Sequence, residues 1–168
     1  EQRALFTEDC GPLSLNLVEC ESARCANCGC VAVSASDLAP ALIALRATVV
    51  TTRRRLLAED LFTAAEGGTT VLAPDELIRE IEIPAPPPGS YQSYQKFRTR
   101  NAIDFPIVGV AFCAEMREGR FHDARVVLGA VAPVPLAARE VEALLEDQAP
   151  GEALAREAAA LAARDAQP

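Results

Sequence analysis

The pattern of hydrophobic and polar positions predicts short helices and strands in the first half of the chain. Leucines at helical spacing follow Ser36-Asp37, a pair that is typical of a helix start. Two short segments, 48–52 and 53–57, are predicted as strands, as is 77–84, where isoleucine alternates with glutamate. This half of the chain therefore predicts a mixture of helix and strand.

A proline-rich segment at 84–89 interrupts the pattern. It holds four prolines and a glycine, and can continue neither a helix nor a central strand, so we expect a junction between two units there. Beyond it the pattern predicts three strands, with a tight hairpin between the last two, at 91–99, 107–117 and 121–131. A helix is predicted over 136–146, and an alanine-rich helix over 152–164 that either packs on the rest or frays.

Composition and charge narrow the classes of partner. Lysine and arginine total 16 against 24 aspartates and glutamates, so the formal net charge is −8, which argues against nucleic acid. Half of the 168 residues are apolar, enough for a core, and no apolar run approaches the roughly 20 residues that span a bilayer. Without a secretory signal pattern, we expect a soluble, cytoplasmic protein with no membrane insertion. Because the chain opens on Glu1, we expect a fragment or a processed chain.

Five of the six cysteines are crowded near the start of the chain. They are Cys10, Cys20, Cys25, Cys28 and Cys30. In a cytoplasmic protein such crowding in loop-like sequence favours metal thiolates over disulfides. Because the one histidine is His122, the site would be all sulfur, as in a [4Fe–4S] cluster or a four-cysteine zinc site. A redox-inert or partly disulfide-bonded loop is the alternative, and which four of the five cysteines would bind is left open.

Other signatures of chemistry are absent or ambiguous. The sequence contains neither G-x-G-x-x-G nor a P-loop, and His122 has no nucleophile motif to serve, so we expect a solvated turn residue there. On the strand after the junction, Tyr94, Lys96 and Arg98 share one face. That face is either solvated surface or a positive rim for an anionic or electron-rich ligand, and the composition does not decide between them.

Four segments carry a resemblance to a known family. Residues 30–45, 70–84, 94–108 and 124–135, in this order and spacing, resemble the FAD-binding subunit of the xanthine dehydrogenase family of molybdenum hydroxylases. Aerobic carbon monoxide dehydrogenase and 4-hydroxybenzoyl-CoA reductase belong to that family. The implied fold class is α+β: the second half of a flavin-binding domain, followed by a three-stranded antiparallel sheet backed by helices.

The resemblance also implies a domain division and a set of site residues. Residues 1–84, with the cysteine-rich loop at 10–30, would complete the FAD-binding domain, residues 89–150 would form the flavoprotein C-terminal domain, and 151–168 a helical tail. The implied FAD-binding residues are Ser36, Asp37, Leu72, Lys96 and Asp104. The family's glycine-rich pyrophosphate loop is missing, so we expect the chain alone to bind FAD poorly and to be inactive.

The implied function is that of an electron-transfer flavoprotein subunit. It would pass electrons between iron–sulfur centres and FAD, with a molybdopterin-binding subunit, a [2Fe–2S] subunit, and NAD(P) or another electron carrier as partners. Because one branch of the family carries an inserted [4Fe–4S] loop before the S-D-L-A-P motif, the resemblance favours iron–sulfur over zinc for the cysteines. The alternative from another class is a non-catalytic, zinc-stabilised interaction module.

Overall fold

The protein forms two antiparallel sheets, one from each side of the proline-rich segment. A computed structural model describes residues 34–64, 70–102 and 104–166. Helix α1 (Leu38–Ala44) comes first and leads into the smaller sheet. That sheet has the order β2-β1-β3, with the strands β1 (Thr48–Thr51), β2 (Arg55–Leu57) and β3 (Ile78–Glu82). A 3-10 helix, Glu59–Leu61, follows β2.

The larger sheet contains four strands in sequence order. They are β4 (Ser90–Phe97), β5 (Val108–Arg117), β6 (Arg120–Gly129) and β7 (Leu136–Ala137). Two helices follow, α2 (Arg139–Leu145) and α3 (Glu152–Asp165). The α+β class is therefore confirmed, as are the three long strands after the junction.

Two details of the larger sheet differ from the sequence-based prediction. The sheet has four strands and not three, and the helix begins at Arg139 and not at residue 136. Both differences have one cause, since Leu136 and Ala137 pair with Leu128 and Val127 of β6 before the chain turns into α2. Two residues of extended backbone within an apolar run give too weak an alternation to be told from a helix start.

The hairpin between β5 and β6 is closed by two residues in the left-handed region. Glu118 has φ 51° and Gly119 has φ 74°, while Arg117 and Arg120 on either side form the last pair of the ladder. Two successive positive φ angles are typical of the two-residue turn whose twist matches that of the strands. The predicted tight hairpin is confirmed.

Two core clusters lie on opposite faces of the larger sheet. The first core cluster joins α1 and the smaller sheet to β5 and β6: Ile43, Ala44, Ala47, Val49, Ala58, Leu61, Ala111, Cys113 and Val127. The second joins β5 and β6 to α2: Ala114, Ala124, Val126, Leu128, Val131, Ala138, Val141 and Leu145. Helix α3 packs Leu154, Ala158 and Leu161 against the second cluster, so the tail is a packed helix.

The first core cluster draws residues from both sides of segment 84–89. Ala111 and Cys113 of β5 pack with Ile43 and Val49, which precede the segment by many residues. The division into 1–84, 89–150 and 151–168 remains a prediction. Within the described ranges the longest helix has 14 residues, and none of the helices is long and apolar enough to cross a bilayer.

A buried carboxylate fastens the turn before β3 to the smaller sheet. Glu76 accepts hydrogen bonds from the Thr51 hydroxyl at 2.7 Å, from Arg54 Nε at 3.0 Å and from the Ala73 N–H at 3.1 Å. These bonds, that of Thr51 first, lower the pKa of Glu76 to about 2. The carboxylate thus stays charged at neutral pH and ties two turns together.

Candidate functional site

Four polar residues from three parts of the chain meet beside the start of α1. Lys96 Nζ donates to Asp37 Oδ2 at 2.7 Å and to the Asp104 carbonyl oxygen at 2.6 Å. The Tyr94 hydroxyl donates to Asp37 Oδ1 at 3.1 Å. We refer to Asp37, Tyr94, Lys96 and Asp104 as the Asp37 cluster.

Strand alternation and the helix start explain why these side chains meet. Tyr94 and Lys96 are two apart on β4, so they point to the same face of the sheet, and that face carries α1. Asp37 immediately precedes α1, whose first turn is closed by the Ser36 hydroxyl accepting from the Ala39 N–H at 3.1 Å. Asp37 therefore lies at the N-terminal end of α1, where its carboxylate faces β4.

Asp104 takes part through its backbone and not through its carboxylate. The carboxylate accepts from the backbone N–H groups of Arg100 at 2.8 Å and Phe105 at 3.0 Å, within its own loop. The hydrogen bond from the Arg100 N–H, above all, lowers the pKa of Asp104. This arrangement shapes the loop so that the Asp104 carbonyl oxygen faces Lys96.

The electrostatics of the cluster fix its protonation at neutral pH. The hydrogen bond from Lys96 is the main cause that lowers the pKa of Asp37, and Arg98 adds a smaller effect of the same sign. Burial, followed by the hydrogen bond to Asp37, raises the pKa of Tyr94 to about 12. Asp37 is therefore ionised and Tyr94 is a neutral donor.

The cluster is partly open to solvent and nearly balanced in charge. The Lys96 side chain is 16 % exposed and that of Asp37 47 %. Because the ammonium group is paired with a carboxylate, the face predicted from Tyr94, Lys96 and Arg98 is not a row of free cations. It is an ion pair with one further arginine nearby.

Of the five residues expected at the site, Asp37, Lys96 and Asp104 come together. Ser36 lies next to them and closes the first turn of α1. Leu72 is partly buried and packs against the first core cluster. Tyr94 was absent from the expected set, although its spacing of two from Lys96 on a strand was a signal that it shares the same face.

The cysteines expected to bind metal, Cys10, Cys20, Cys25, Cys28 and Cys30, lie outside the described residues. Within the described ranges, no three His, Cys, Asp or Glu side chains are grouped so that they could hold a metal ion. Cys113 is buried, and its Sγ accepts from Arg125 Nη2 at 3.3 Å.

His122 is not in the turn. It lies within β6, where its Nδ1 is 3.3 Å from Glu146 Oε1, because the turn itself takes only the two residues 118 and 119.

Comparisons with known families give two matches that follow one another along the chain. A model of the FAD binding domain in molybdopterin dehydrogenase matches residues 15–86. A model of the CO dehydrogenase flavoprotein C-terminal domain matches residues 92–168. The two matches meet within a few residues of segment 84–89.

Solved structures give the same result over most of the chain. Carbon monoxide dehydrogenase from Hydrogenophaga pseudoflava, in a form that lacks the Mo-pyranopterin moiety, is 27 % identical with a TM-score of 0.73, covering 80 % of this chain and 47 % of that one. Reconstituted CO dehydrogenase from Oligotropha carboxidovorans is 28 % identical, with a TM-score of 0.70 and coverages of 79 % and 46 %. Quinoline 2-oxidoreductase from Pseudomonas putida 86 is 26 % identical, with a TM-score of 0.70 and coverages of 82 % and 48 %. The chain spans about half the length of these solved chains.

Proposed function

We propose that the chain forms one wall of a flavin site and passes electrons between iron–sulfur centres and FAD. The premise is that the chain belongs to the FAD-binding subunits of the molybdenum hydroxylase family. The two family models and the solved structures confirm the resemblance drawn from the four sequence segments. The observation that carries the proposal for the site is the meeting of Asp37, Lys96 and Asp104, three residues that the resemblance had marked separately.

The residues present suit one edge of a flavin ring. Lys96 and Tyr94 are donors, and the Asp37 carboxylate is an acceptor that remains 47 % exposed. Leu38 and Phe105, which follow Asp37 and Asp104 in the chain, are exposed apolar side chains. The sequence has no phosphate-binding glycine motif, so we expect the FAD pyrophosphate to be held elsewhere in the complete flavoprotein.

Within this site each residue has a proposed role. When bound, FAD supplies an isoalloxazine ring that accepts and releases electrons. Lys96 favours negative charge on the ring, while Asp37 fixes the ammonium group in place and partly offsets its charge. Asp104 holds Lys96 through its carbonyl oxygen. We expect Leu72 to limit solvent near the ring, and Ser36 to set the position of Asp37 through the first turn of α1.

Complementary charge variants test this assignment in the full-length subunit, assembled with the molybdopterin and [2Fe–2S] subunits that we propose as partners. Lys96→Met should lower the flavin potential, and Asp37→Asn should raise it, each by about 30 mV, which is 1.4 kcal/mol for a two-electron couple. Redox titration of the flavin absorbance measures both.

A matched control is Arg120→Met, an exposed cation at the other end of the same sheet. Gly109, opposite Lys96, and Arg117, opposite Arg120, are eight residues apart on β5, about 26 Å at the rise of a strand. The control should leave the potential unchanged. Equal potentials in wild type, Lys96→Met and Asp37→Asn would remove both residues from the flavin site.

The cysteine loop at 10–30 enters the proposal as a further electron relay. A set of all-sulfur donors suits a [4Fe–4S] cluster on four of its five cysteines. Metal and sulfide analysis of anaerobically purified protein should then give about four iron atoms and four sulfides per chain for that loop. One zinc and no sulfide would contradict the relay and favour a structural metal.

A further inference from the structure

Two glycines face each other where α1 meets the larger sheet. Gly109 of β5 and Gly129 of β6 are direct partners in the ladder. A Cβ atom built on Gly109 would lie 2.8 Å from the Tyr94 hydroxyl oxygen, and one built on Gly129 would lie 2.8 Å from Pro40 Cγ. Both distances are shorter than Cβ atoms in folded proteins tolerate.

Space, and not backbone conformation, is what these glycines provide. Among the described glycines, positive φ angles occur at Gly89 and Gly119 only. Gly109 and Gly129 thus have backbone angles that any residue adopts, and a side chain would be excluded there by its neighbours alone.

Both neighbours lead to the Asp37 cluster. The atom nearest to Gly109 is the Tyr94 hydroxyl, which donates to Asp37, and Lys96 is the direct β4 partner of Gly109. The atom nearest to Gly129 belongs to Pro40, a fully buried residue in the first turn of α1, three positions after Asp37. The two glycines therefore leave room on two sides of the cluster, for Tyr94 on the strand side and for Pro40 on the helix side.

We propose that Gly109 and Gly129 are positioning residues for the Asp37 cluster, since they admit the Tyr94 hydroxyl and the Pro40 ring against the sheet at the separation that lets Asp37 meet Tyr94 and Lys96. The two act differently. The Tyr94 hydroxyl is the far end of a side chain and can move, whereas the Pro40 ring is fully buried and is part of the backbone of α1. Gly109→Ala should thus displace one hydroxyl group, and Gly129→Ala should displace the helix. The consequence for flavin binding rests on the function proposed above, but the packing does not.

The direct test follows the position of Tyr94 in the chain of 168 residues. Tyr91 and Tyr94 are the only tyrosines in these 168 residues, so 3-fluorotyrosine in a Tyr91→Phe background gives a single fluorine NMR resonance. Gly109→Ala should move that resonance towards the shift of exposed fluorotyrosine. Gly151→Ala, a glycine with no atom within 4 Å of its would-be Cβ, should leave it in place. An unmoved resonance in Gly109→Ala overturns the inference.

A double-mutant cycle on FAD affinity of the assembled protein supplies the second readout. Gly109→Ala and Tyr94→Phe should each weaken FAD binding about tenfold, equivalent to about 1.4 kcal/mol. The double variant should be no weaker than either, because Tyr94→Phe removes the atom with which the new methyl group collides. Additive losses overturn the inference.

The same logic applies on the helix side. Pro40→Ala should restore FAD affinity to Gly129→Ala, because it removes the ring atom nearest to the new methyl group. If the assembled protein binds no FAD at all, the proposed function fails, while the NMR result still decides the positioning role.

Discussion

The two faces of the larger sheet are built from the same strands but packed in opposite ways. On the face towards α1, β5 and β6 present Gly109, Ala111, Cys113, Val127 and Gly129. On the other face β5 and β6 present Phe112, Val126 and Leu128 together with two alanines, Ala114 and Ala124, and α2 and α3 pack against them. The face towards α1 has two glycines that allow a helix and a tyrosine to approach closely, whereas the other face has alanines and larger apolar side chains.

The contrast suggests different roles for the two faces: one contributes much of the folding free energy, and the other positions the Asp37 cluster. Burial of large side chains is the main source of folding free energy, so the face with α2 and α3 supplies much of it. The face with α1 buries less side-chain area at its glycines, but there the backbone of β5 comes within reach of the Tyr94 hydroxyl and Pro40 fits against β6. Strand alternation lets one sheet meet both requirements, because successive residues point to opposite faces.

The largest effect that would test this separation is the loss of a large side chain on the face that packs against α2 and α3, which we call the stable face. Leu128 is 4 % exposed in the second core cluster, and Leu128→Ala should cost about 2–5 kcal/mol of the free energy of unfolding, measured in urea. The flavin potential of the folded, assembled protein should not change. A shift in potential comparable with that of Lys96→Met would show that the two faces are not independent.

Strand alternation is also what made most of the fold predictable. The long strands β4, β5 and β6 and the hairpin at Glu118-Gly119 have strong local signals, an apolar alternation and a residue pair suited to a tight turn. The two-residue strand β7 was missed because its identity depends on pairing with β6, a tertiary contact that leaves no local period.

The candidate site was predictable only through the resemblance. Asp37 and Lys96 are separated by 59 positions, and no spacing rule brings them together. The resemblance marked them residue by residue, but it gave neither their ion pair nor the use of the Asp104 carbonyl oxygen. Those depend on how closely Tyr94 and Pro40 approach β5 and β6, where Gly109 and Gly129 leave room for them.

A smaller effect on stability should appear when the pH is lowered. It should arise at Glu76, beside the smaller sheet, which packs on the same face of the larger sheet as α1. The pKa of Glu76 is lowered to about 2 from 4.5, so its bonds to Thr51 and Arg54 contribute stability that is fully present above about pH 4.5. That contribution should be lost as the pH falls through about 2. The difference in urea midpoint between wild type and Glu76→Gln, measured across this range, should shrink as the pH falls.

The second core cluster offers the control for this titration. Val141→Ala alters an apolar contact of the stable face, so its difference from wild type should stay constant over the same pH range. A constant difference for Glu76→Gln as well would mean that the buried carboxylate contributes no pH-dependent stability.

The smallest effect concerns the hairpin end of the sheet, which belongs to neither core cluster. Glu118 adopts φ 51°, a conformation that costs most residues free energy but that asparagine tolerates, so Glu118→Asn should stabilise the protein by about 0.5–1 kcal/mol. Glu118→Ala removes the same charge without that tolerance and should give no gain. Urea denaturation measures both variants. If alanine stabilised as much as asparagine, the gain would come from charge and not from the turn. If the turn is the cause of the gain, Glu118→Asn should also leave the flavin potential unchanged. The reason is distance, because Arg117 beside the turn is eight residues along β5 from Gly109, which lies next to the Asp37 cluster.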